Sequence, residues 1–306
     1  MKRVVALLTA FLFLLGCNTY KNSFGETYTS IHTDYTKVYR LDLSHQNLNQ
    51  IPVEISKCIE LRMLDLSGNT DLDLEHTLNQ IPAPEVLEIL ILDSLMIQEL
   101  PSAIHRFTSL RHLSLNNNPS ANFNTICGVL SPMKLEFLSL KSNNLDVLPD
   151  NLGSIHSLKS LNLSNNKVGN DRDFIILSAL PNLEALWLTN NTITELPTSI
   201  SGLSSLKSLF IEHNQLVDLP NEFTKLDRLW KLHAGHNRFK ELPIELAHMP
   251  FLILLHINDN EISSISDDFA GKQVSLSGII MDNNKLTKEQ KLRWSTVFKG
   301  SFVNSF

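Results

Sequence analysis

A short pattern of apolar residues and asparagine recurs along most of the chain, and it restricts the possible folds more than any other feature. Each copy reads Leu-x-x-Leu-x-Leu-x-x-Asn-x-Leu, with a period of about 23 residues. A unit this short cannot bury its apolar side chains alone, so neighbouring units must stack around a continuous core. Counted from the first apolar position, eleven units begin at Val38, Leu61, Leu87, Leu110, Leu135, Leu158, Leu183, Leu206, Leu229, Leu252 and Leu276.

The fourth and sixth positions of each unit are apolar, and the residues beside them differ in character. Leu186 and Leu188 show this alternation in one unit, and Leu209 and Ile211 show it in the next. A period of two is typical of a half-buried strand. The pattern therefore predicts one short parallel strand per repeat, with the third, fifth, seventh and eighth positions facing away from the core.

The ninth position predicts a structural ladder of amides. Buried turns leave backbone groups unpaired, and an asparagine amide can donate to and accept from neighbouring turns. Gln46 holds this position in the first repeat, and Leu95 interrupts the series in the third. The other members are Asn69, Asn118, Asn143, Asn166, Asn191, Asn214, Asn237, Asn260 and Asn284.

An apolar-proline pair follows the strand in seven repeats and predicts irregular or single-turn helical segments, because proline lacks an N–H for a strand ladder. We expect the apolar residue three positions later to point inward. Three longer repeats, beginning at Leu61, Leu110 and Leu158, should form bulges on this side. The pairs are Ile51-Pro52, Ile81-Pro82, Leu100-Pro101, Leu148-Pro149, Leu196-Pro197, Leu219-Pro220 and Leu242-Pro243.

These units resemble the leucine-rich-repeat family, and the resemblance covers about four-fifths of the chain. It implies an α/β solenoid of horseshoe form, with a parallel concave sheet and an irregular or short-helical convex side. It also implies a non-catalytic binding module without a cofactor. Family members with an enzymatic output usually carry it in an attached domain, and here the repeats occupy the chain.

The first residues predict export. Lys2 and Arg3 precede an apolar run from Val4 to Leu15, which is shorter than the roughly 20 residues of a membrane-spanning helix. The run ends in Leu-Leu-Gly before Cys17, which resembles the lipobox of bacterial lipoproteins. The resemblance implies lipidation of Cys17 and anchoring in the bacterial cell envelope, with the outer membrane or cell surface expected. An ordinary secretory signal is the alternative.

Four regions follow from these patterns. Residues 1–16 form the signal peptide, 17–37 the lipidated cysteine, tether and N-terminal cap, 38–286 the repeats, and 287–306 a C-terminal cap. Thr287 and Gln290 are spaced as a helix-capping pair, and the helix after them should bury apolar side chains against the last repeat. Those side chains are Leu292, Trp294 and Phe298.

Cys58 and Cys127 lie about three repeats apart, so stacked strands would separate them by about 14 Å. A disulfide needs Cα atoms within about 7 Å of each other. We therefore predict two buried free thiols.

The predicted ligand site lies in the seventh to tenth repeats. Trp187 and Phe210 occupy the fifth position on adjacent strands, and His233 and His256 continue that column. Adjacent strands lie about 4.8 Å apart, so the two aromatic rings should touch and form an exposed step. Such a step within a polar rim favours a binding hot spot over scattered surface aromatics. The remaining predicted site residues are Glu212, His213, Trp230, Lys231 and His236.

The histidines could instead form a metal site or a pH-sensitive site. Side chains on parallel strands point side by side rather than converging, so we predict no metal. We also find no nucleophile-base pair and no glycine-rich phosphate loop. The formal net charge of −6 argues against nucleic acid as a partner.

The leading interpretation is a membrane-anchored lipoprotein that binds a protein or peptide on its concave face. A carbohydrate or cell-wall binder using Trp187 and Phe210 is the main alternative, because an aromatic step beside polar groups also suits sugar stacking. A purely structural envelope component is the third. The sequence leaves the oligomeric state open.

Overall fold

The computed structural model describes residues 26–30, 35–271, 274–298 and 303–305. The chain divides into two compact units, residues 1–115 and residues 116–306. The predicted signal peptide and Cys17 lie outside the described residues.

The first unit contains four parallel strands, one from each of the first four repeats. The fourth-position leucines lie opposite one another, with Leu41 paired to Leu64, Leu64 to Leu90 and Leu90 to Leu113. All four leucines are fully buried, as the period-two pattern predicts. The strands are β1 Arg40–Asp42, β2 Met63–Asp65, β3 Ile89–Ile91 and β4 His112–Ser114.

The second unit has the same kind of arrangement within itself, with each of its strands parallel to the next and in register with it. Seven of its strands come from predicted repeats, and the last, at Val303–Ser305, was not predicted. The strands are β5 Phe137–Ser139, β6 Ser160–Asn162, β7 Ala185–Trp187, β8 Ser208–Phe210, β9 Lys231–His233, β10 Leu254–His256, β11 Gly278–Ile280 and β12 Val303–Ser305.

The asparagine ladder is confirmed, and Asn214 shows how it works. Its amide nitrogen donates to the carbonyl oxygens of Leu188 and Ile211, at 2.9 and 3.0 Å. Its amide oxygen accepts from the backbone N–H groups of Asn191 and Ile193, both at 3.0 Å. The amide nitrogen also donates to the Glu212 carbonyl oxygen at 3.2 Å, so one buried side chain bonds to five backbone groups in two repeats.

The opposite side of the repeats consists largely of short turns of 3-10 helix that begin just after the predicted prolines. The inward positions are confirmed, because Ile55, Ile104, Leu152, Ile200, Phe223 and Leu246 are all buried. The turns are Val53–Lys57, Ser102–Arg106, Asp150–Ser154, Thr198–Gly202, Asn221–Lys225 and Ile244–His248, with further turns at Tyr35–Lys37, Pro84–Val86 and Asp267–Ala270.

The three longer repeats form α-helices rather than bulges, which corrects the prediction. These are α1 Leu74–Gln80, α2 Phe123–Leu130 and α3 Asp171–Ser178. Their first turns are capped by the side chains of Asp73, Asn122 and Asn170, and capping favours a regular helix where extra residues are available.

A fourth helix, α4 Lys288–Val297, begins with the predicted capping box between Thr287 and Gln290. Trp294 and Phe298 are buried, but Leu292 is 71% exposed, so its predicted burial was wrong. Leu292 lies two residues before Trp294, a spacing that places the two side chains on different faces of a helix.

Cys58 and Cys127 are both buried and free, as predicted. None of the helices in the described residues is long and apolar enough to span a bilayer.

Candidate functional site

Four rings form a continuous column across β7 to β10. Trp187 is paired with Phe210, Phe210 with His233, and His233 with His256, because each holds the same position on adjacent in-register strands. The ring centroids are separated by 4.9, 4.8 and 4.0 Å in that order. We call these four residues the aromatic column, and the side of the sheet turned away from the core the strand face.

The rings of Trp187 and Phe210 are half-buried rather than exposed, which corrects the predicted exposed step. Their planes lie within 5° of parallel, so each covers a face of the other. The Lys231 ammonium lies 4.6 Å from the Phe210 centroid. Because β7 and β9 flank β8, Trp187 and Lys231 cover opposite faces of Phe210.

Lys231 is buried, with 5% of its surface exposed. It holds the third position of the ninth repeat and is the first residue of β9, two residues before His233, so both side chains leave the strand on the same side. Burial lowers the pKa of Lys231, and the nearby Glu212 carboxylate partly opposes that shift.

Glu212 is held by two side chains. His233 Nδ1 lies 3.0 Å from its Oε1 atom, and Thr189 Oγ1 donates to its Oε2 atom at 3.0 Å. Burial alone would raise the pKa of Glu212, but these hydrogen bonds, a backbone hydrogen bond and the His233 charge hold it below its ordinary value. Glu212 therefore remains an anion beside the column.

His256 is the neutral end of the column. Burial, followed by the charges of His233 and Lys231, lowers the pKa of His256 to about 4, although Glu212 opposes the shift. Near neutral pH this imidazole is uncharged.

His213 and His236 form a separate pair at the eighth position. They stack with centroids 4.1 Å apart and planes 8° from parallel, and both are exposed. His236 Nε2 lies 3.4 Å from Asp259 Oδ2. The four predicted histidines therefore form two distinct pairs rather than one patch.

Trp230 lies outside the column. It holds the second position of its repeat, the position that Lys207 holds in the preceding repeat and Ile253 in the following one. Within the part of the chain that the structure describes, it makes no ring contact with the four column residues.

Sequence reasoning missed Thr189 and Phe137. Thr189 holds the same repeat position in the seventh repeat as Glu212 holds in the eighth, so the register alone could have identified their contact. Phe137 contacts Trp187 edge-on with centroids 6.3 Å apart, although the two residues are two strands apart. That contact depends on side-chain orientation, which the repeat pattern does not specify.

Over residues 26–30, 35–271 and 274–298, no group of three or more His, Cys, Asp or Glu side chains is arranged to hold a metal ion. The stacked His213 and His236 rings illustrate the geometry, since parallel ring planes do not direct two nitrogens at one point.

Comparisons with known proteins agree with this architecture. The leucine-rich-repeat family model matches residues 181–239, which include Trp187, Phe210 and His233. No curated protein matches the sequence.

Solved structures match over most of the chain. An internalin (inlF) from Listeria monocytogenes is 20% identical, with a TM-score of 0.61, and the match covers 92% of this chain and 85% of that one. TLR13 in the TLR13-ssRNA13 complex is 23% identical, with a TM-score of 0.66, covering 86% and 41%.

The Toll - Spatzle complex from Drosophila gives 17% identity and a TM-score of 0.62, covering 92% and 42%. At these identities the likeness concerns the fold. With the repeated motif, the in-register parallel strands and the asparagine ladder, it shows that the chain has the leucine-rich-repeat fold, and the family model matches residues 181–239 of it.

Proposed function

We propose that the chain is a non-catalytic module that binds a protein or peptide on the strand face, at the aromatic column. The observation that carries the proposal is the stacked pair of Trp187 and Phe210, set beside the Glu212, His233 and Lys231 side chains. Interface hot spots combine aromatic anchors with a polar surround in this way.

The pair has a property that suits recognition. Stacking fixes both rings, so little side-chain entropy is lost when a ligand packs against their edges. Within residues 116–306, the two fifth-position residues before Trp187 are Ser139 and Asn162, and both are small and polar. In residues 116–306, large rings at the fifth position therefore begin with Trp187 in the seventh repeat.

Two solved structures of similar fold contain a macromolecular partner, which supports a partner of that kind here but does not identify it. The Toll - Spatzle structure contains a protein partner, and the TLR13 structure contains single-stranded RNA. The formal charge of −6 favours a protein or peptide over a nucleic acid for this chain.

A carbohydrate ligand would need an open ring face. Both faces of Phe210 are covered, by Trp187 and by Lys231, which favours the protein or peptide. A glycan panel probed with the wild-type chain and with Trp187→Ala tests this alternative, and glycan binding lost in the variant would replace the proposal.

The proposal includes export and anchoring through an acylated Cys17, supported by the basic start, the short apolar run and Leu-Leu-Gly-Cys. Growth with a labelled fatty acid tests it. The wild-type chain should carry label and sediment with membranes, whereas Cys17→Ser should lose both properties. Label retained by Cys17→Ser would contradict it.

The binding proposal is tested by affinity capture from envelope extracts. The baits are a soluble form lacking residues 1–17, its Trp187→Ala/Phe210→Ala variant, and a Val217→Ser control. Val217 is 57% exposed and lies outside the strands. A ligand should be captured by the wild type and the control but not by the double variant. Equal capture by all three baits would place the site elsewhere.

A further inference from the structure

Lys231 presents a cation without an anionic partner. Its residue is 95% buried, yet within residues 35–271 and 274–298 its ammonium has no hydrogen bond or ion pair. The ammonium lies over the Phe210 ring, 4.6 Å from the ring centroid. The buried side-chain atoms that lack a hydrogen-bond partner do not include Lys231 Nζ, so the ammonium reaches solvent while the rest of the residue is buried. Its donors therefore remain available to a ligand.

Glu212 is the carboxylate whose charge acts on Lys231, but both of its oxygens are already hydrogen-bonded to other side chains. One of its oxygens accepts from Thr189 and the other bonds to His233. The neighbouring lysine at the second position of the preceding repeat behaves differently. Lys207 Nζ lies 2.8 Å from Glu184 Oε1, so that lysine has its counter-ion.

His233 adds a second unsatisfied group beside Lys231. Its Nδ1 atom bonds to Glu212, whereas its buried Nε2 atom has no hydrogen-bond partner. Lys231 and His233 leave β9 on the same side.

We propose that Lys231 binds a carboxylate of the ligand, with the Trp187–Phe210 pair packing against an apolar group next to that carboxylate. This inference rests on the proposed function of the strand face and specifies its ligand as an acidic peptide segment. The carboxylate comes from an acidic side chain or from a peptide C-terminus, and both have the required charge and size.

Three short peptides test the proposal by ligand-observed NMR on the full chain in detergent. Acetyl-aspartyl-phenylalanine amide carries a side-chain carboxylate, and acetyl-glycyl-phenylalanine carries a terminal one. Acetyl-asparaginyl-phenylalanine amide is the neutral control. At least one acidic peptide should bind, at least tenfold more tightly than the neutral peptide, and the stronger of the two identifies the carboxylate source.

The variants are Lys231→Met, Lys231→Arg and the control Lys207→Met. Lys231→Met keeps the buried stem and should weaken acidic-peptide binding at least tenfold, whereas Lys231→Arg and Lys207→Met should stay within threefold of wild type. Circular dichroism melting confirms that each variant folds. Equal binding of acidic and neutral peptides, or unchanged binding by Lys231→Met, would overturn the proposal.

The two proposals fail in different ways. If the captured partner is lost with Trp187→Ala/Phe210→Ala but retained by Lys231→Met, the strand-face site stands and the carboxylate proposal is wrong. If both variants retain the partner, the strand-face site itself is wrong.

Discussion

Trp187 and Phe210 stack face to face across two adjacent strands, with their ring centroids 4.9 Å apart and their planes 5° from parallel. The spacing is that of neighbouring strands, because both residues hold the fifth position of their repeats and lie opposite each other on adjacent strands. The backbone ladder of the solenoid thus sets the distance between the rings, and their packing adds the parallel orientation.

The stack should appear as an energetic coupling. In a double-mutant cycle of Trp187→Ala and Phe210→Ala, the two changes should be coupled by about 0.5–1.5 kcal/mol, the usual range for aromatic pairs. Urea unfolding of the wild type, both single variants and the double variant measures it. Strictly additive losses would mean that the rings do not stack in solution.

The asparagine ladder should contribute strongly to stability. Asn214→Ala removes the side-chain partner of five backbone groups and should cost about 2–4 kcal/mol in the free energy of unfolding. Asn182→Ala is the matched control, because Asn182 is exposed and makes one hydrogen bond, to the His156 carbonyl. It should change stability by at most about 0.5 kcal/mol. Similar losses in both variants would contradict the ladder's role.

Acid should destabilise the protein through His256. Its pKa is about 4 when folded, below the ordinary value of about 6.5, so the unfolded chain binds more protons between these values. The contribution of neutral His256 to the free energy of unfolding is therefore complete above pH about 6.5, and it is lost as the pH falls towards 4. The pKa of Glu212 is also lowered in the folded chain, so protonation of Glu212 further reduces the free energy of unfolding once the pH is below the ordinary value of 4.5.

His256→Gln removes the titrating imidazole, so this variant should lose less stability than wild type between pH 6.5 and 4.5. Urea unfolding at intervals of half a pH unit makes the comparison. Parallel pH profiles for the two proteins would show that His256 is not held neutral by its surroundings.

The C-terminal helix should depend on Trp294 and not on Leu292. Trp294 is 1% exposed, so Trp294→Ala should cost about 3–5 kcal/mol by removing a large buried side chain. Leu292→Ala, at 71% exposure, should change stability by at most about 0.5 kcal/mol. Thermal melting of the two variants compares their stabilities. A large loss of stability in Leu292→Ala would show that Leu292 is buried, as the sequence predicted.

The repeat pattern predicts the backbone well because in-register stacking places equal positions side by side. It identifies the neighbours Trp187 and Phe210, the inward residues after each proline and the amide ladder. It does not predict the last strand, Val303–Ser305, because that segment lacks the repeat's leucines. The α-helices of the longer repeats were also missed, although Asn170 and Asp173 form a capping box.

Side-chain orientation explains the remaining differences at the site. Strand position indicates that Lys231 faces outward, but its side chain lies over Phe210 and only 5% of the residue is exposed. Likewise, sequence spacing grouped four histidines that the structure separates into His213 with His236 and His233 with His256. Such choices depend on local packing and charge, which a repeat consensus does not encode.

Site-specific photo-crosslinking tests the strand-face site most directly. A photoreactive amino acid is placed at Asn162, which pairs with Trp187 on the adjacent strand, and separately at Val217, which lies outside the strands. Neither substitution replaces Trp187 or Phe210. We predict that the captured partner crosslinks from position 162 and not from position 217, whereas a crosslink from position 217 alone would contradict the account.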